Sequence, residues 1–373
     1  MNPNQKIILI SLLLLNSCIT PFIPKAIENK EMIIVDALIT DQPGKNIIKL
    51  SRSLPLGNGI SPLPVKGCIV TVTDDLGNSF NFTESVAGTY SSDSTEFQGS
   101  IGRSYTLHIN TNSYSNNHYY ESYPIEMKPV PPIDSVYYEK VTITGSDPGY
   151  YMEQGCQIYL ATHDPSNQCK YYRWTFVETW EFHTYFSVPN SICWISANSE
   201  LINIKNTSAL EKDNVTRYPL YFVSNQTDRL LIKYSILVNQ YSLNEEEYSY
   251  WDQLQKQSEN TGGLYDIIPS YVNNNLFCVD DPNEKVLGYF SVSAKASKRI
   301  FVKDHFRGIV NKYNAEYCGP DTVLKNDLLH GLNQTHWIVG ETSDSWIVTY
   351  SRECADCTVR GTNIRPDFWT ENK

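Results

Sequence analysis

The residues able to do chemistry are scattered along the chain. Seven histidines, nine cysteines and 41 acidic residues are spread over 373 positions. Nucleophilic catalysis needs a Ser or Cys within reach of a His and an orienting acid. No G-x-S-x-G elbow occurs, and His108, His118, His163, His183, His305, His330 and His336 sit in unrelated contexts. Metal-dependent hydrolysis lacks an H-E-x-x-H pair, and the His163-Asp164 step alone offers too few ligands. Phosphate binding lacks both G-x-x-x-x-G-K-[ST] and a G-x-G-x-x-G between strand and helix. A glycosidase needs only two acids, and Glu178 and Glu181 flank Trp180 in the run ETWEF. On a regular strand Glu178 and Trp180 share one face while Glu181 takes the other, so the two acids do not converge and the expectation is polar residues on an exposed face. Asp280-Asp281-Pro282-Asn283-Glu284 carries oxygen ligands of the kind calcium takes, in a composition that usually makes a plain turn. The sequence therefore names no catalytic residue, no metal ligand set and no cofactor.

Cysteine usage carries a more definite meaning. Residues 1–17 read MNPNQKIILISLLLLNS, with Lys6 as the only charge and an apolar stretch from Ile7 to Leu15. In a helix that stretch rises about 14 Å, roughly half a hydrocarbon core, which makes a secretory signal and not a span. Leu15-Asn16-Ser17-Cys18 resembles the bacterial lipobox, where diacylglycerol attachment requires a thiol directly after the cleavage site. Cleavage before Cys18 and lipid on Cys18 are expected, and acyl chains at about 0.8 kcal/mol per buried methylene would hold the body to a bilayer. No later stretch reaches the ~18 apolar residues of a membrane helix, so lipid would be the only anchor. With Cys18 committed, Cys68, Cys156, Cys169, Cys193, Cys278, Cys318, Cys354 and Cys357 form an even set in an oxidising compartment. Disulfides are the favoured reading, with 105 connectivities open for eight cysteines. Cys354-Ala-Asp-Cys357 could instead be half a zinc site or a redox pair, but a second C-x-x-C is missing and the spacing of His330 and His336 fits no standard zinc pair.

Aromatic residues give the better clue to binding. Tyr114, Tyr119, Tyr120 and Tyr123 lie in or after the Asn/Ser-rich run NTNSYSNNHYYESY, a composition of exposed edges that hold sugars or protein partners by stacking and amide hydrogen bonds. Tyr114, Tyr119 and Tyr120 are the candidate ligand-binding residues. The alternative is a hairpin whose tyrosines cover a sandwich.

The elements that must position these residues are mainly β. Twenty-six tyrosines and 19 prolines beside four methionines favour strands over helices. The net charge of −11, one unit more negative once Lys6 is removed, excludes nucleic acid as a natural partner. Residues 18–31 read as a lipidated tether. From 32 to 126, short strand patterns alternate with turn signals such as Gln42-Pro43-Gly44 and Asp75-Leu76-Gly77-Asn78, which predicts an immunoglobulin-like β-sandwich. The proline-rich joint Met127–Glu139 then stiffens the chain and opens a larger β-rich, sandwich-like domain over 127–373, ending in a Cys-rich segment. One helix interrupts it. Asn244 and Glu247 form a capping pair, Leu243 and Tyr248 occupy staple positions, and Tyr248, Trp251 and Leu254 share a face that docks on a sheet before Gly262 stops the helix.

Long ordered segments also carry a resemblance. VDALITD, PVPPIDSVYYE, YYRWTFVETWEF, KYSILVNQYSLNEEEYSYW, VLGYFSVSAKASKRIFV and CADCTVRGTNIRPDFW are similar to the Bacteroidetes lipoprotein family called domain of unknown function 4249. That resemblance implies a lipid-anchored outer-membrane protein, often encoded beside a TonB-dependent transporter, with no catalytic residues to carry over. The functional expectation is a non-enzymatic accessory or ligand-capturing partner of such a transporter. A glycan- or surface-binding adhesin taking a glycan or peptide ligand is the alternative, and a hydrolase with no recognisable motif is the second.

Overall fold

The computed structural model describes residues 31–53, 63–111, 118–144, 152–259, 272–309, 318–327, 332 and 334–369. Its first strands are β1 (Ile33–Thr40), β2 (Ile47–Arg52), β3 (Leu63–Pro64), β4 (Ile69–Asp74), β5 (Ser79–Val86), β6 (Thr89–Ser91), β7 (Ser104–Asn110), β8 (Tyr119–Ser122) and β9 (Ile125–Glu126). Then come β10 (Ile133–Thr144), β11 (Met152–His163), β12 (Tyr171–His183), β13 (Ile192–Asn198), β14 (Asn203–Asn206), β15 (Asn214–Ser224) and β16 (Lys233–Ser242). Helix α1 (Glu245–Glu259) separates these from β17 (Leu276–Cys278), β18 (Val286–Ser293), β19 (Lys295–Val302), β20 (Asp321–Leu324), β21 (Trp337–Glu341) and β22 (Ser345–Thr349).

Alternation of apolar and polar residues makes the first body. β1 reads IIVDALIT and buries Ile33, Val35, Ala37 and Ile39, and β7 buries Tyr105, Leu107 and Ile109 in the same way. Strands run in the order β17-β8-β7-β4-β5-β6-β2-β1-β18, and β5 turns the corner: its first half pairs with β4, its second half with β6. The sheet thus closes over one core that includes Val72, Tyr90, Phe97 and Leu107. Tyr90 fixes the entry to β4 by donating to Val65 O at 3.0 Å while accepting from Cys68 N at 3.0 Å. The Asp75–Asn78 turn forms as expected, with Asp74 accepting from Leu76 N and Asn78 N and Gly77 at φ +84°.

The expected boundary at 126/127 is crossed. β17 and β18, placed by sequence in the second body, supply the two edges of the first sheet, with β18 parallel to β1 along its whole length. A local sandwich of residues 32–126 would lack both edges. Gly288 permits this closure. Its φ is +92°, and a Cβ there would lie 1.9 Å from Val35 O.

The second body packs β10-β11-β15 against the sheet β13-β12-β16-β19, with β14 beside β12. Between them lie Ile158, Leu160, Trp174, Phe176, Phe182, Ile236 and Val238, all buried. A three-stranded sheet, β20-β22-β21, follows. Disulfides Cys193–Cys357 and Cys318–Cys354 tie this C-terminal segment to the core. The expectation of eight paired cysteines is corrected: Cys68, Cys156, Cys169 and Cys278 are free and buried. Cys68, Cys156 and Cys169 pack as small apolar side chains, and burial pushes the Cys156 and Cys169 thiols up to about 12, which keeps them protonated and inert. The two cysteines of the CADC run go to different partners, which removes the zinc-half-site and redox-pair readings of that motif.

Helix α1 docks where the two bodies meet. Asn244 Oδ1 caps Glu247 N at 2.7 Å as expected, but the Glu247 carboxylate does not return the bond. It turns inward, buried, accepting from Trp251 Nε1 at 3.4 Å. Trp251 in turn lies under the Arg173 guanidinium of β12, 3.6 Å from its ring centroid, and Tyr250 packs against Tyr289 of β18 at 4.8 Å. The helix therefore touches both bodies.

Two predictions follow from this joint. Gly288→Ala should lower unfolding stability by ~3 kcal/mol or more, because relief requires moving the β1 backbone; denaturant titration reads it. Burial, offset in part by the Ser291 hydroxyl and by Arg173, raises the Glu247 carboxyl from 4.5 to about 7. The unfolded chain then releases this proton at lower pH than the folded one, so the contribution of Glu247 to stability is greatest below about pH 4.5 and is lost as pH rises through 7. Glu247→Gln should flatten that decline and stabilise the protein at pH 8 by up to ~3 kcal/mol, measured by thermal unfolding across pH.

Candidate functional site

The sequence-chosen tyrosines lead to one corner of the first body. β8 lies between β7 and β17, in antiparallel register Ile109↔Tyr120↔Cys278. Period-2 alternation sends Tyr120 and Ser122 inward beside Leu276 and Cys278, and Tyr119 and Glu121 outward beside His108. Tyr120 is 1 % exposed, so it cannot stack on a ligand, and that part of the expectation is corrected. Its hydroxyl donates to Glu284 Oε1, and burial together with that carboxylate holds it well above the usual tyrosine range. Tyr119 is half-buried, its hydroxyl 2.8 Å from His108 Nδ1, and the two rings stack at 6.1 Å. Tyr114 and Cys18 lie outside the described residues.

The ladder continues one step past β17. Val279 N donates to Tyr119 O at 2.8 Å, which sets Asp280 across from His118. His118 and Tyr120 on one strand and Cys278 and Asp280 on the other thus share a face at the point where the buried layer opens to solvent. Cys278 Sγ lies 3.7 Å from His118 Nδ1, and His118 Nε2 lies 3.6 Å from Glu284 Oε2. Asp280 Oδ2 accepts from Tyr119 N at 2.7 Å. The Asp280–Glu284 run forms the turn that its composition suggested. Asp281 builds the turn, accepting from Asn283 N at 2.9 Å, while Asp280 and Glu284 face the histidine. Sequence reading missed His118 and Cys278 as neighbours because 160 positions separate them; the adjacency exists only through the β8–β17 pairing.

The remaining candidates resolve separately. Glu178 is not exposed as expected: it is buried on the Trp180 face, 3.0 Å from Arg229 Nε and accepting from Tyr234 OH at 3.0 Å. A structural ion pair explains it. Glu181 points to the other side as expected, 2.8 Å from His183 Nε2 and accepting from Trp369 Nε1 at 2.9 Å. There it borders a cleft of about 400 Å³ with Trp194, Lys233, Arg365 and Trp369. His163 pairs with Asp134 at 2.7 Å on the surface. A wider cleft of about 700 Å³ lies beside α1 and β15, lined by Glu200, Asn203, Tyr221 and Gln255. Among the described residues, no helix is long and apolar enough to cross a membrane.

Two β-sheet bodies joined by the continuous run from β18 to β19, with one docked helix and a disulfide-tied C-terminal segment, define a mainly β protein of several sheets. The chain belongs to the family described as domain of unknown function (DUF4249), whose profile matches residues 19–299. That match ends inside β19, so the disulfide-tied segment lies beyond it. None of the curated proteins compared with the chain matches it.

The corner separates two tyrosines that the sequence treated alike. Tyr120→Ala should cost ~3–5 kcal/mol by opening a cavity in the first core. Tyr119→Ala should cost under about 1 kcal/mol, since its ring is half-solvated; parallel chemical denaturation of the two variants measures the difference.

Proposed function

We propose that the protein is a lipid-anchored outer-membrane lipoprotein that works without catalysis, as an accessory or ligand-capturing partner of a TonB-dependent transporter. The observation that carries this reading is Leu15-Asn16-Ser17-Cys18 ahead of a large acidic β body. Lipid on Cys18 holds such a body at a membrane while leaving its surface free for partners. Family membership supports the same reading through the resemblance drawn from the sequence. The two bodies meet through extensive shared structure, which suits a platform that presents surfaces in fixed relation to a larger assembly. A second reading, a glycan- or surface-binding adhesin, is favoured by one feature of the β17 edge: Tyr123, just past β8, is 60 % exposed and packs at 5.1 Å against Phe277 of the outermost strand β17.

Tagged protein purified from its native membrane in mild detergent should bring down a TonB-dependent transporter. Cys18→Ala should move the protein out of the membrane fraction and abolish labelling by radioactive palmitate. Repeated recovery of the lipoprotein alone would sink the transporter reading, and a Cys18→Ala protein that stays membrane-bound would sink the anchor.

A further inference from the structure

We propose that His118, Cys278 and Asp280 form a binding site for Zn²⁺ that clips the returning segment β17 onto β8. Among the described residues, this is the one place where three His, Cys, Asp or Glu side chains bring ligand atoms within 4.8 Å of one another. The combination is selective. Thiolate and imidazole suit a borderline-soft divalent ion and are poor ligands for Ca²⁺ or Mg²⁺, which prefer oxygen.

The distances fit such an ion. Zn–S near 2.3 Å and Zn–N near 2.1 Å at a tetrahedral angle put sulfur and nitrogen about 3.6 Å apart. Cys278 Sγ and His118 Nδ1 are 3.7 Å apart, so two ligands already stand at the edge of a tetrahedron. Asp280 is exposed at the rim, and with one oxygen held by Tyr119 N it offers the other as third ligand. Closing the 4.8 Å spread asks for a side-chain movement of about 1 Å, which an exposed aspartate can make. The fourth position faces solvent and takes water or a group from outside.

The surroundings orient the ligands. With Nδ1 turned to the metal, His118 carries its proton on Nε2, toward Glu284 Oε2 at 3.6 Å. Glu284 is itself fixed by the Tyr120 hydroxyl. The backbone of His118 is held as well: its N donates to Thr111 Oγ1 at 3.0 Å and its O accepts from Thr111 N at 3.1 Å. Binding displaces the Cys278 thiol proton to solvent, and the thiolate becomes the ligand. Among the described residues Cys278 forms no disulfide, so its thiol is open to this use.

The test uses the full mature lipoprotein in detergent, stripped by chelator and dialysed. Zn²⁺ alone should bind one per chain with micromolar or tighter affinity, and Co²⁺ in its place should show a thiolate charge-transfer band. Cys278→Ser should abolish the band, and His118→Ala and Asp280→Ala should each weaken Zn²⁺ binding at least tenfold. Glu284→Gln, which leaves all three ligands intact, should weaken binding by about tenfold. It keeps the test open if Cys278→Ser fails to fold. Cys68→Ala, a buried thiol elsewhere in the same core, should change nothing. Zn²⁺ should also raise the unfolding temperature of the native protein and not that of His118→Ala. An absence of saturable Zn²⁺ binding, full binding retained in Cys278→Ser, unchanged affinity in Glu284→Gln, or displacement of Zn²⁺ by excess Ca²⁺ would each overturn the proposal.

Discussion

The whole arrangement depends on the absence of a linker at residue 294. β18 ends at Ser293 in the first body and β19 begins at Lys295 in the second, with only Ala294, fully buried, between them. One extended run therefore belongs to two sheets. Because β18 must lie along β1 and β19 along β16, the register of either pairing fixes the start of the other. Asp41 and Gln42, just past β1, seal the crossing point: Lys295 N donates to Asp41 Oδ1 at 2.9 Å and Lys295 O accepts from Gln42 Nε2 at 2.8 Å.

The proline-rich segment is the second crossing, and its chemistry follows from what proline removes. Pro129, Pro131 and Pro132 have no N–H to offer a ladder, and the carbonyls around them must find partners elsewhere. Side chains of β16 supply them: Gln240 Nε2 donates to Pro131 O at 2.8 Å and Ser242 Oγ to Lys128 O at 2.7 Å. Gln240 is fully buried and accepts from Trp174 Nε1 at 2.8 Å, so the second core reads the position of the joint through one amide. Glu247 does the opposite. Its carboxylate is buried, and the Tyr289 hydroxyl is buried with no hydrogen-bond partner. The joint thus combines one satisfied polar network with one buried carboxylate that desolvation disfavours in its charged form.

Strand content was legible from alternation wherever one face is solvated. The first body's short strands fall between turn signals such as Gln42-Pro43-Gly44 and Asp75-Leu76-Gly77-Asn78, and the Asn244 cap placed the helix start. What sequence could not show is pairing at long separation. β17 is three residues long and carries no periodic pattern, yet it completes the first sheet. The parallel β1–β18 ladder joins residues about 250 positions apart, and no turn signal announces such a partner. The same limit hid the His118–Cys278 corner. It also explains why Glu178 was placed on an exposed face: alternation sorted it correctly with Trp180, but which face meets the core depends on Arg229 and Tyr234 arriving from β16 and its approach.

The cysteines show how cross-links and burial divide the work of stability. Segments with a full core do not need cross-links, and there Cys68, Cys156, Cys169 and Cys278 remain free as packed side chains. The sheet β20-β22-β21 is different: among its described residues few apolar side chains are deeply buried, chiefly Val323 and Val348. That segment cannot offset its own ordering entropy by burial alone. Both disulfides fall there, closing separations of 164 and 36 residues. In the chain-entropy account, loops of such lengths limit the unfolded ensemble by about 4–5 kcal/mol each when taken alone, less when nested as these are. The small sheet is held as an appendage of the second core, with Cys354 and Cys357 in two successive short helical turns of one segment and bonded to different partners. Cross-linking is therefore concentrated where hydrophobic burial is thinnest, and the cysteine pattern of the chain follows its core.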